Sequence, residues 1–296
     1  MISVVLPCYN EEDSISKGVQ AIKEILNKYG KEHEIIIVND GSTDKSLEIL
    51  NKLEDVHVVN HAHNLGYGLA LKTGIKKAKF DTIIISDIDG SYPEKHMAEL
   101  LDIFFESKND NQPGLDMVVG ARKGKEYDGS IFKFIFRKLL KFLVEWTTGR
   151  KIVDINSGQR VFSKKTIVNF LPHLCNTFSF TTSLTLAYML SAKFVRYHDI
   201  EYHVRIGKSH VKIFRDSLRT LQYITEAIIF YNPLKLILLI FSFFIILAAI
   251  FLVLYLLKNS FLFLFLFGLT ILSSVITIFF GFMLEQTRQN NIKNKE

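Results

Sequence analysis

The stretch TIIISDIDGSYP, residues 82–93, joins four β-branched residues to two aspartates, Asp87 and Asp89, and then to Gly90 and Pro93. The continuous β-branched run predicts a strand buried on both faces, as in a parallel sheet. The glycine and the proline predict a turn directly after it. The sequence therefore places two carboxylates at the carboxyl end of a buried strand, where open α/β sheets bind their ligands.

Short apolar runs alternate with amphipathic stretches through about the first 120 residues. The predicted strands are Ile2–Pro7, His33–Asp40, Val56–Asn60, Thr82–Ser86 and Asp116–Gly120. The amphipathic stretches between them are Asp13–Lys28, Lys45–Leu53, Tyr67–Lys79 and Glu94–Glu106. This alternation predicts an α/β fold with a mainly parallel sheet flanked by helices.

Polar residues and glycines follow each of the first four predicted strands, in PCYNEED, NDGSTD, HAHNLGYG and DIDGSYP. Gly41 suits a tight turn, and Gly66 and Gly68 lead into a helix whose amino end can receive a phosphate. Any one such loop is common for structural reasons alone. Four of them at the same edge of one sheet predict a ligand site there.

Two interpretations of Asp87 and Asp89 follow from their spacing. Carboxylates separated by one residue can hold Mg²⁺ or Mn²⁺, with phosphate oxygens completing the coordination shell. Alternatively, Asp89 caps the turn and Asp87 accepts backbone hydrogen bonds. The three other polar strand ends favour the metal site. His61 and His63 have no third metal ligand nearby in the sequence, so they do not predict a second metal site.

The hydrophobic content of 48% and the mean hydropathy of +0.19 are high because of the C-terminal part. Two uncharged runs, residues 234–257 apart from Lys235, and residues 261–284, are each about 24 residues long. Helices of that length span a bilayer, whereas two core helices of a soluble domain seldom have this composition. The three-residue connection KNS predicts a tight transmembrane hairpin.

Basic residues predict the orientation of this hairpin, because they favour the cytoplasmic side. The turn contains only one basic residue, Lys258. Three basic residues precede the hairpin and three follow it: Lys212, Arg215 and Arg219, and Arg288, Lys293 and Lys295. We therefore expect the catalytic domain and both termini to be cytoplasmic, with no signal peptide before the first strand. The two cysteines form no disulfide framework, and Cys8 is expected to be a small buried thiol.

Two further amphipathic stretches could lie against the membrane. Residues 130–147 interleave Phe and Leu with basic residues that include Arg137, and residues 211–232 lead into the first apolar run. Such a composition is typical of helices in the membrane interface, and packing against a protein core is the alternative. The expected organisation is a catalytic domain over 1–210, a juxtamembrane helix over 211–232, a hairpin over 233–285 and a tail over 286–296.

In their order and spacing, VVLPCYNEED, IIIVNDGSTDKS, NLGYGLALKTG, IIISDIDGSYP, VVGAR and DINSGQRVF resemble the GT-A glycosyltransferases of family 2. The resemblance is closer to the polyprenyl-phosphate sugar synthases, the group of dolichyl-phosphate mannose synthase and the undecaprenyl-phosphate glucosyltransferases. It covers roughly residues 1–210, and the apolar tail matches the membrane-anchored branch. It implies a nucleotide-diphosphate sugar donor, GDP- or UDP-linked, a polyprenyl phosphate acceptor, and Mg²⁺ or Mn²⁺.

The resemblance also implies roles for individual residues. The nucleotide sugar would be bound by Pro7, Tyr9, Glu11, Asp40, Asp87, Arg122 and Lys208. Asp87 and Asp89 would hold the metal, and Asp89, Asp154 and Arg205 would be the catalytic residues. The acceptor phosphate would be held by Ser157, Arg160 and Arg137. Asp154 would act at the sugar or the acceptor, or would only form an ion pair with Arg160. Ser91 departs from the family pattern, since many relatives carry a glutamine there.

The implied reaction is a single in-line displacement with inversion, in which a hexose moves to the lipid phosphate. A processive polysaccharide synthase shares the early motifs but expects a Q-x-x-R-W element, which SGQRVF does not provide. A catalytically silent membrane scaffold, or transfer to another lipid or polysaccharide, is the remaining alternative. A Rossmann oxidoreductase is disfavoured because no G-x-G-x-x-G follows the first strand. We expect no nucleic-acid partner, and a homo-oligomer is compatible with the sequence.

Overall fold

The computed structural model describes residues 1–108, 114–123, 131–203 and 213–293; the side chains of 131–137, 139–140, 213–220 and 291–293 lie outside that description. The strands are β1 Ile2–Cys8, β2 His33–Asn39, β3 His57–Asn60, β4 Thr82–Ile85, β5 Met117–Lys123, β6 Arg160–Ser163 and β7 Val195–Glu201. The helices are α1 Ile15–Tyr29, α2 Ser46–Leu50, α3 Tyr67–Lys77, α4 Lys95–Glu106, α5 Ile131–Thr148, α6 Lys164–Val168, α7 Phe180–Leu190, α8 Ile213–Tyr231, α9 Pro233–Lys258 and α10 Phe261–Lys293.

The strands of the described residues form one sheet in the order β3-β2-β1-β4-β6-β5-β7. All neighbouring pairs are parallel except β4–β6 and β5–β6, so β6 alone runs against the others within this part of the chain. The five predicted strands and four predicted helices are present, with ends that differ by at most three residues. The predicted α/β fold with a mainly parallel sheet is therefore confirmed.

The sheet is buried because helices cover both of its faces. Helix α1 places apolar side chains at the spacing of one helix face, and Val19, Ile22 and Leu26 pack in one cluster with Val4 and Leu6 of β1. Residues of α2 and α4 join the same cluster. Helix α3 covers the opposite face. There a Cβ at Gly74 would lie 2.4 Å from Val5 Cγ1, so the glycine permits close helix–sheet contact.

The sequence reasoning missed four elements of the second half: β6, α6, α7 and β7. Helix α7 has nearly uniform burial and little amphipathic pattern, since every residue from Phe180 to Met189 is buried. Strand β6 has only four residues. Neither element carries the periodicity by which helices and strands are found in a sequence.

The chain divides into two compact units, residues 1–223 and 224–296. The second unit contains α9 and α10, which are long and apolar enough to cross a membrane. Only 6% of the most apolar part of α9 and 11% of that of α10 are buried, whereas core helices of a soluble domain are mostly buried. Within this unit the two helices pack closely, because a Cβ at Gly281 would lie 2.5 Å from Ile237 Cγ2. Asn259, in the left-handed conformation, ends α9 two residues before α10 begins.

Candidate active site

The sheet topology brings the polar loops of the sequence to one edge. Strands β1 to β4 are parallel, so their carboxyl ends share that edge. Strand β6 runs the opposite way and pairs Arg160 with Ile85 at the end of β4, so the segment before β6 enters at the same edge. Strand β5 is antiparallel to β6 and therefore ends at the same edge as β4. Strand β7 is parallel to β5, so it ends there too. The motifs around Asp40, Asp87 and Asp154 therefore meet.

Asp87 lies beside the loop that precedes β6. The Tyr67 hydroxyl donates a hydrogen bond to Asp87 Oδ1 at 3.0 Å. A Cβ at Gly158 would lie 2.7 Å from Asp87 Oδ2, so a larger residue there would displace this carboxylate. Gly158 N in turn donates to the buried Tyr92 hydroxyl at 2.7 Å. The carboxylate of Asp87 is thus contacted from two other segments of the chain, the start of α3 and the loop before β6.

Asp89 is 6% exposed and closes the turn after β4. Its Oδ1 accepts two hydrogen bonds from Ser91, from the backbone N at 3.0 Å and from Oγ at 2.5 Å. The turn-capping interpretation of Asp89 is therefore seen in the structure. A carboxylate has about four lone-pair positions, so this contact and metal binding are compatible.

The two carboxylates fit a hard divalent cation. Among the described residues no group of three or more His, Cys, Asp and Glu side chains could hold a metal ion. Mg²⁺ in phosphate-transfer sites is commonly held by only one or two carboxylates, with substrate phosphates and water completing the shell. Asp87 and Asp89 supply this all-oxygen donor set, one residue apart at the ligand edge. They are the residues that would hold Mg²⁺ or Mn²⁺.

Asp154 forms an ion pair with Arg122, and not with Arg160 as one prediction had it. Arg122 Nε and Nη2 donate to its two oxygens at 2.7 and 2.9 Å, and the backbone N of Arg122 donates at 3.2 Å. The Asn156 backbone adds a fourth bond at 3.0 Å. Burial alone would raise the pKa of Asp154, but the hydrogen bonds and charge of Arg122 hold it below its usual value. Asp154 is therefore an ionised carboxylate.

Ser157 and Arg160, two of the predicted acceptor-phosphate residues, are both 0% exposed. The Arg160 guanidinium donates to the backbone oxygens of Ile155 and Ser157 at 2.8 Å, and to Thr185 Oγ1 at 2.7 Å. In this structure the guanidinium faces the protein interior, and its contact with an acceptor phosphate stays a prediction. Arg160 holds the loop that carries Asp154 against helix α7.

Asp40 was predicted to bind the nucleotide, and it lies at the ligand edge with only 3% exposure. Its oxygens accept hydrogen bonds from the backbone N of Leu65 at 3.0 Å and of Gly66 at 2.8 Å. His61 Nδ1 lies 2.7 Å from Oδ1, and His61 Nε2 lies 3.0 Å from Thr73 Oγ1. Asp40 therefore ties the β3–α3 loop to the end of β2.

Three other predicted nucleotide residues lie at the carboxyl end of β1 and in the loop after it. Pro7 and Tyr9 are partly exposed, and Glu11 is 8% exposed and accepts a hydrogen bond from Ser14 Oγ at 3.3 Å. The Cys8 thiol between them is buried, as predicted, and burial raises its pKa to about 12. The loop places these side chains at the ligand edge, and their contact with a nucleotide stays a prediction.

The amino end of α3, where the sequence allows a phosphate to bind, packs against another segment of the chain. The backbone of residues 175–177 lies directly against it. A Cβ at Gly68 would lie 2.4 Å from the Cys175 carbonyl oxygen, and the Leu69 N donates to the Asn176 oxygen at 2.9 Å. The glycines of NLGYG therefore permit a close backbone approach.

Three predicted residues cannot be placed. Arg205 and Lys208 lie outside the described residues. Arg137 lies on helix α5, and its side chain is likewise outside the description. Their roles stay predictions.

Sequence reasoning missed the tyrosines of the site. Tyr202 follows β7, where its ring meets Tyr92 edge to face at 5.3 Å and the Arg122 guanidinium at 5.2 Å. Tyr67 and Tyr92 stood within the motifs NLGYG and DIDGSYP, so their positions beside glycines at strand ends were the available signal. Tyr202 had no such signal, because β7 was not recognised.

This architecture, a mainly parallel sheet with paired aspartates at its ligand edge, is that of the GT-A glycosyltransferases. Comparison with known proteins agrees. Residues 3–167 match the model of glycosyl transferase family 2, and the chain belongs to this family.

The structure also resembles those of glucosyl-3-phosphoglycerate synthase from Mycobacterium tuberculosis. The UDP complex gives a TM-score of 0.59 at 18% identity, covering 77% of this chain and 79% of that chain. The complex with Mn²⁺, UDP and phosphoglyceric acid gives 0.60 at 18% identity, covering 77% and 78%. At this identity the likeness concerns the fold alone.

Curated relatives include the undecaprenyl-phosphate 4-deoxy-4-formamido-L-arabinose transferase of Pectobacterium atrosepticum. It is 29% identical over 192 residues, covering 60% of this chain and 56% of the relative. The enzyme of the same name from Pectobacterium carotovorum subsp. carotovorum is 28% identical over the same length. The match thus spans little more than half of these relatives.

Proposed function

We propose that this protein is a membrane-bound glycosyltransferase that moves a sugar from a nucleotide-diphosphate donor to a polyprenyl phosphate. The observation that carries the proposal is the meeting of Asp87, Asp89 and the Arg122–Asp154 pair at the ligand edge of a family 2 fold. The relatives named as undecaprenyl-phosphate transferases support the acceptor class. The two apolar helices support a lipid substrate that stays in the bilayer.

Asp87 and Asp89 are proposed to bind the donor diphosphate through a divalent cation. When bound, Mg²⁺ or Mn²⁺ supplies electrostatic stabilisation of the diphosphate as negative charge develops on it. The side chain of Arg122 is 13% exposed and its guanidinium is fixed by two bonds to Asp154. We infer that this rigid cation lies against a donor phosphate, because a guanidinium held in place loses little entropy when an anion binds.

The proposed acceptor needs little activation. The second pKa of a phosphate monoester is about 6, so its oxygen is largely anionic at neutral pH. The site must mainly align this oxygen with the anomeric carbon. Asp154 suits this scheme as a fixed negative charge that orients Arg122, since a carboxylate with a lowered pKa is a weak base. A single displacement by the phosphate oxygen then inverts the anomeric configuration.

Helix α5 is proposed to lie in the membrane interface. Its described part exposes two aromatic rings, Phe142 at 53% and Trp146 at 48%, which stack with centroids 6.4 Å apart. Lys138 and Lys141 are exposed on the same helix. Exposed aromatic and basic residues on one helix are typical of contact with anionic lipid headgroups. Together with the basic residues that flank α9 and α10, they support a cytoplasmic catalytic unit.

A donor screen tests the proposal. The full chain is purified in detergent and mixed with Mg²⁺ or Mn²⁺, undecaprenyl phosphate and one labelled nucleotide sugar, and label in the lipid phase is measured. The donors are UDP-glucose, GDP-mannose, UDP-N-acetylglucosamine and UDP-4-deoxy-4-formamido-L-arabinose. We expect transfer from one donor, its loss on chelation, and its loss in Asp89→Ala but not in Asp102→Ala, an exposed carboxylate of α4. Transfer from no donor, or full activity of Asp89→Ala, would contradict the proposal.

A further inference from the structure

Each aspartate of the D-x-D pair accepts a hydrogen bond from a hydroxyl group that the chain supplies. Tyr67 Oη donates to Asp87 Oδ1 at 3.0 Å, and Ser91 Oγ donates to Asp89 Oδ1 at 2.5 Å. The two donors come from different segments, the start of α3 and the turn after β4. Both bonds end on the carboxylates that the proposed function assigns to the metal.

The Tyr67 ring is positioned by the start of α3 and by one stacked aromatic neighbour. Tyr67 is the first residue of α3 and follows Gly66, whose φ of 106° fixes the direction of the chain. Its ring stacks on Phe178 with centroids 5.9 Å apart and an interplanar angle of 16°. From this ring the hydroxyl donates to Asp87 Oδ1 at 3.0 Å. The position of this hydroxyl is therefore set by packing and not by Asp87 itself.

Ser91 is fixed equally firmly. It is 0% exposed, and its backbone N joins its Oγ in donating to Asp89 Oδ1. Its carbonyl oxygen accepts a hydrogen bond from the backbone N of His203 at 3.0 Å, just after β7. The turn between Asp89 and Ser91 is therefore anchored on both sides, and the carboxylate cannot rotate without breaking two bonds.

We propose that Tyr67 and Ser91 are positioning residues that set the orientation of Asp87 and Asp89 for a divalent cation; this inference rests on the proposed function. Neither residue touches the substrate in this scheme. Their hydroxyl groups act through the carboxylates, as hydrogen-bonding partners of metal ligands do in general. Loss of such a partner typically weakens metal affinity by about 10- to 100-fold. Ser91 stands where many relatives carry a glutamine, and in this scheme its hydroxyl group supports Asp89 as a metal ligand.

Two conservative variants test this. Tyr67→Phe keeps the ring and its stacking on Phe178, and Ser91→Ala keeps the backbone bond; each removes one hydroxyl. The chain offers a matched control for each. Tyr29 Oη donates to Asp102 at 2.7 Å on the surface, and Ser163 Oγ donates to Asp81 at 2.9 Å at the opposite end of β6. Tyr29→Phe and Ser163→Ala therefore remove the same groups away from the site.

Mn²⁺ is titrated into the full-length protein in detergent, with UDP and GDP in separate series, and unbound Mn²⁺ is measured by electron paramagnetic resonance against a protein-free nucleotide blank. We expect about 10-fold weaker Mn²⁺ binding in Tyr67→Phe and in Ser91→Ala, and wild-type binding in both controls. Tm is measured without metal for all four variants, because a purely structural role would lower Tm and leave the affinity for Mn²⁺ per folded molecule unchanged.

The outcomes separate this inference from the proposed function. Wild-type protein that binds Mn²⁺, with both variants binding it as tightly, overturns the positioning role and leaves the function standing. Wild-type protein that binds no Mn²⁺ with either nucleotide overturns the metal assignment and the inference with it. Weaker binding in both variants but not in their controls supports the inference.

Discussion

Replacing Asp154 by asparagine should destabilise the protein strongly, although the two side chains have the same size. Asp154 is 2% exposed and accepts bonds from three groups of Arg122 and from the Asn156 backbone. An asparagine keeps one acceptor oxygen and directs an NH₂ group toward a guanidinium or a backbone N–H. The substitution therefore leaves the Arg122 guanidinium without its counter-charge. It also places the NH₂ group of the asparagine against an N–H donor, where no hydrogen bond can form.

The expected size of the effect follows from the burial of the pair. Removing one partner of a buried ion pair costs about 3–5 kcal/mol. The side chain of Arg122 is 13% exposed, so water compensates in part and the lower value of about 3 kcal/mol applies. In a domain of about 150–250 residues each kcal/mol lowers Tm by about 2–4 °C. We therefore expect Tm to fall by about 6–12 °C in Asp154→Asn.

The pH dependence of this effect has a definite sign. The pKa of Asp154 is lower in the folded protein than its usual value, because the hydrogen bonds and charge of Arg122 outweigh burial. A carboxylate with a lowered folded pKa contributes stability above its unfolded pKa, and that contribution is lost as the pH falls through the folded pKa. The Tm difference between wild type and Asp154→Asn should be constant from pH 8 to 5 and shrink only below about pH 4.

Thermal unfolding in detergent, followed by intrinsic fluorescence, measures these values. The control is Asp199→Asn, which breaks the neighbouring Lys123–Asp199 pair, whose side chains are 65% and 57% exposed. That loss should cost under about 1 kcal/mol. Arg122→Gln with Asp154→Asn should cost less than the sum of the single changes, because no uncompensated charge remains. A Tm for Asp154→Asn equal to that of Asp199→Asn would refute the reasoning.

Three further outcomes follow from the structure. Gly41→Ala should lower Tm measurably in the same assay, because φ is 67° there and a Cβ would lie 2.4 Å from the His63 carbonyl carbon; an unchanged Tm would show that the loop can shift. Arg160→Met should cost about 3 kcal/mol or more, since two carbonyls and Thr185 lose a buried donor, and normal stability in chemical unfolding would contradict this. Cys8 should resist iodoacetamide at pH 8 in the folded protein and react only after denaturation, because burial raises its pKa to about 12; mass spectrometry of the alkylated protein decides this.

The βα units of the first half were legible in the sequence for a clear physical reason. Their strands are buried on both faces, so they read as continuous runs such as EIIIVN and TIII, and glycines mark the turns between strand and helix. Strand β6 and helix α7 lack both signals. The order of the sheet, with β6 antiparallel between β4 and β5, depends on contacts between distant segments that no local pattern encodes.

The sequence by itself determined the α/β class, the family, the two apolar helices and the position of Asp87 and Asp89 at a strand end, because these depend on local composition and spacing. Only the tertiary structure decided the partners. Asp154 pairs with Arg122 across 32 residues of chain, and Tyr67 reaches Asp87 across 20. The phosphate role of Arg160 is implied by the family resemblance, and only the structure shows its guanidinium buried against two backbone carbonyls and Thr185. Charge and hydrogen-bonding capacity are properties of a residue, but what they serve depends on which groups the fold brings within bonding distance.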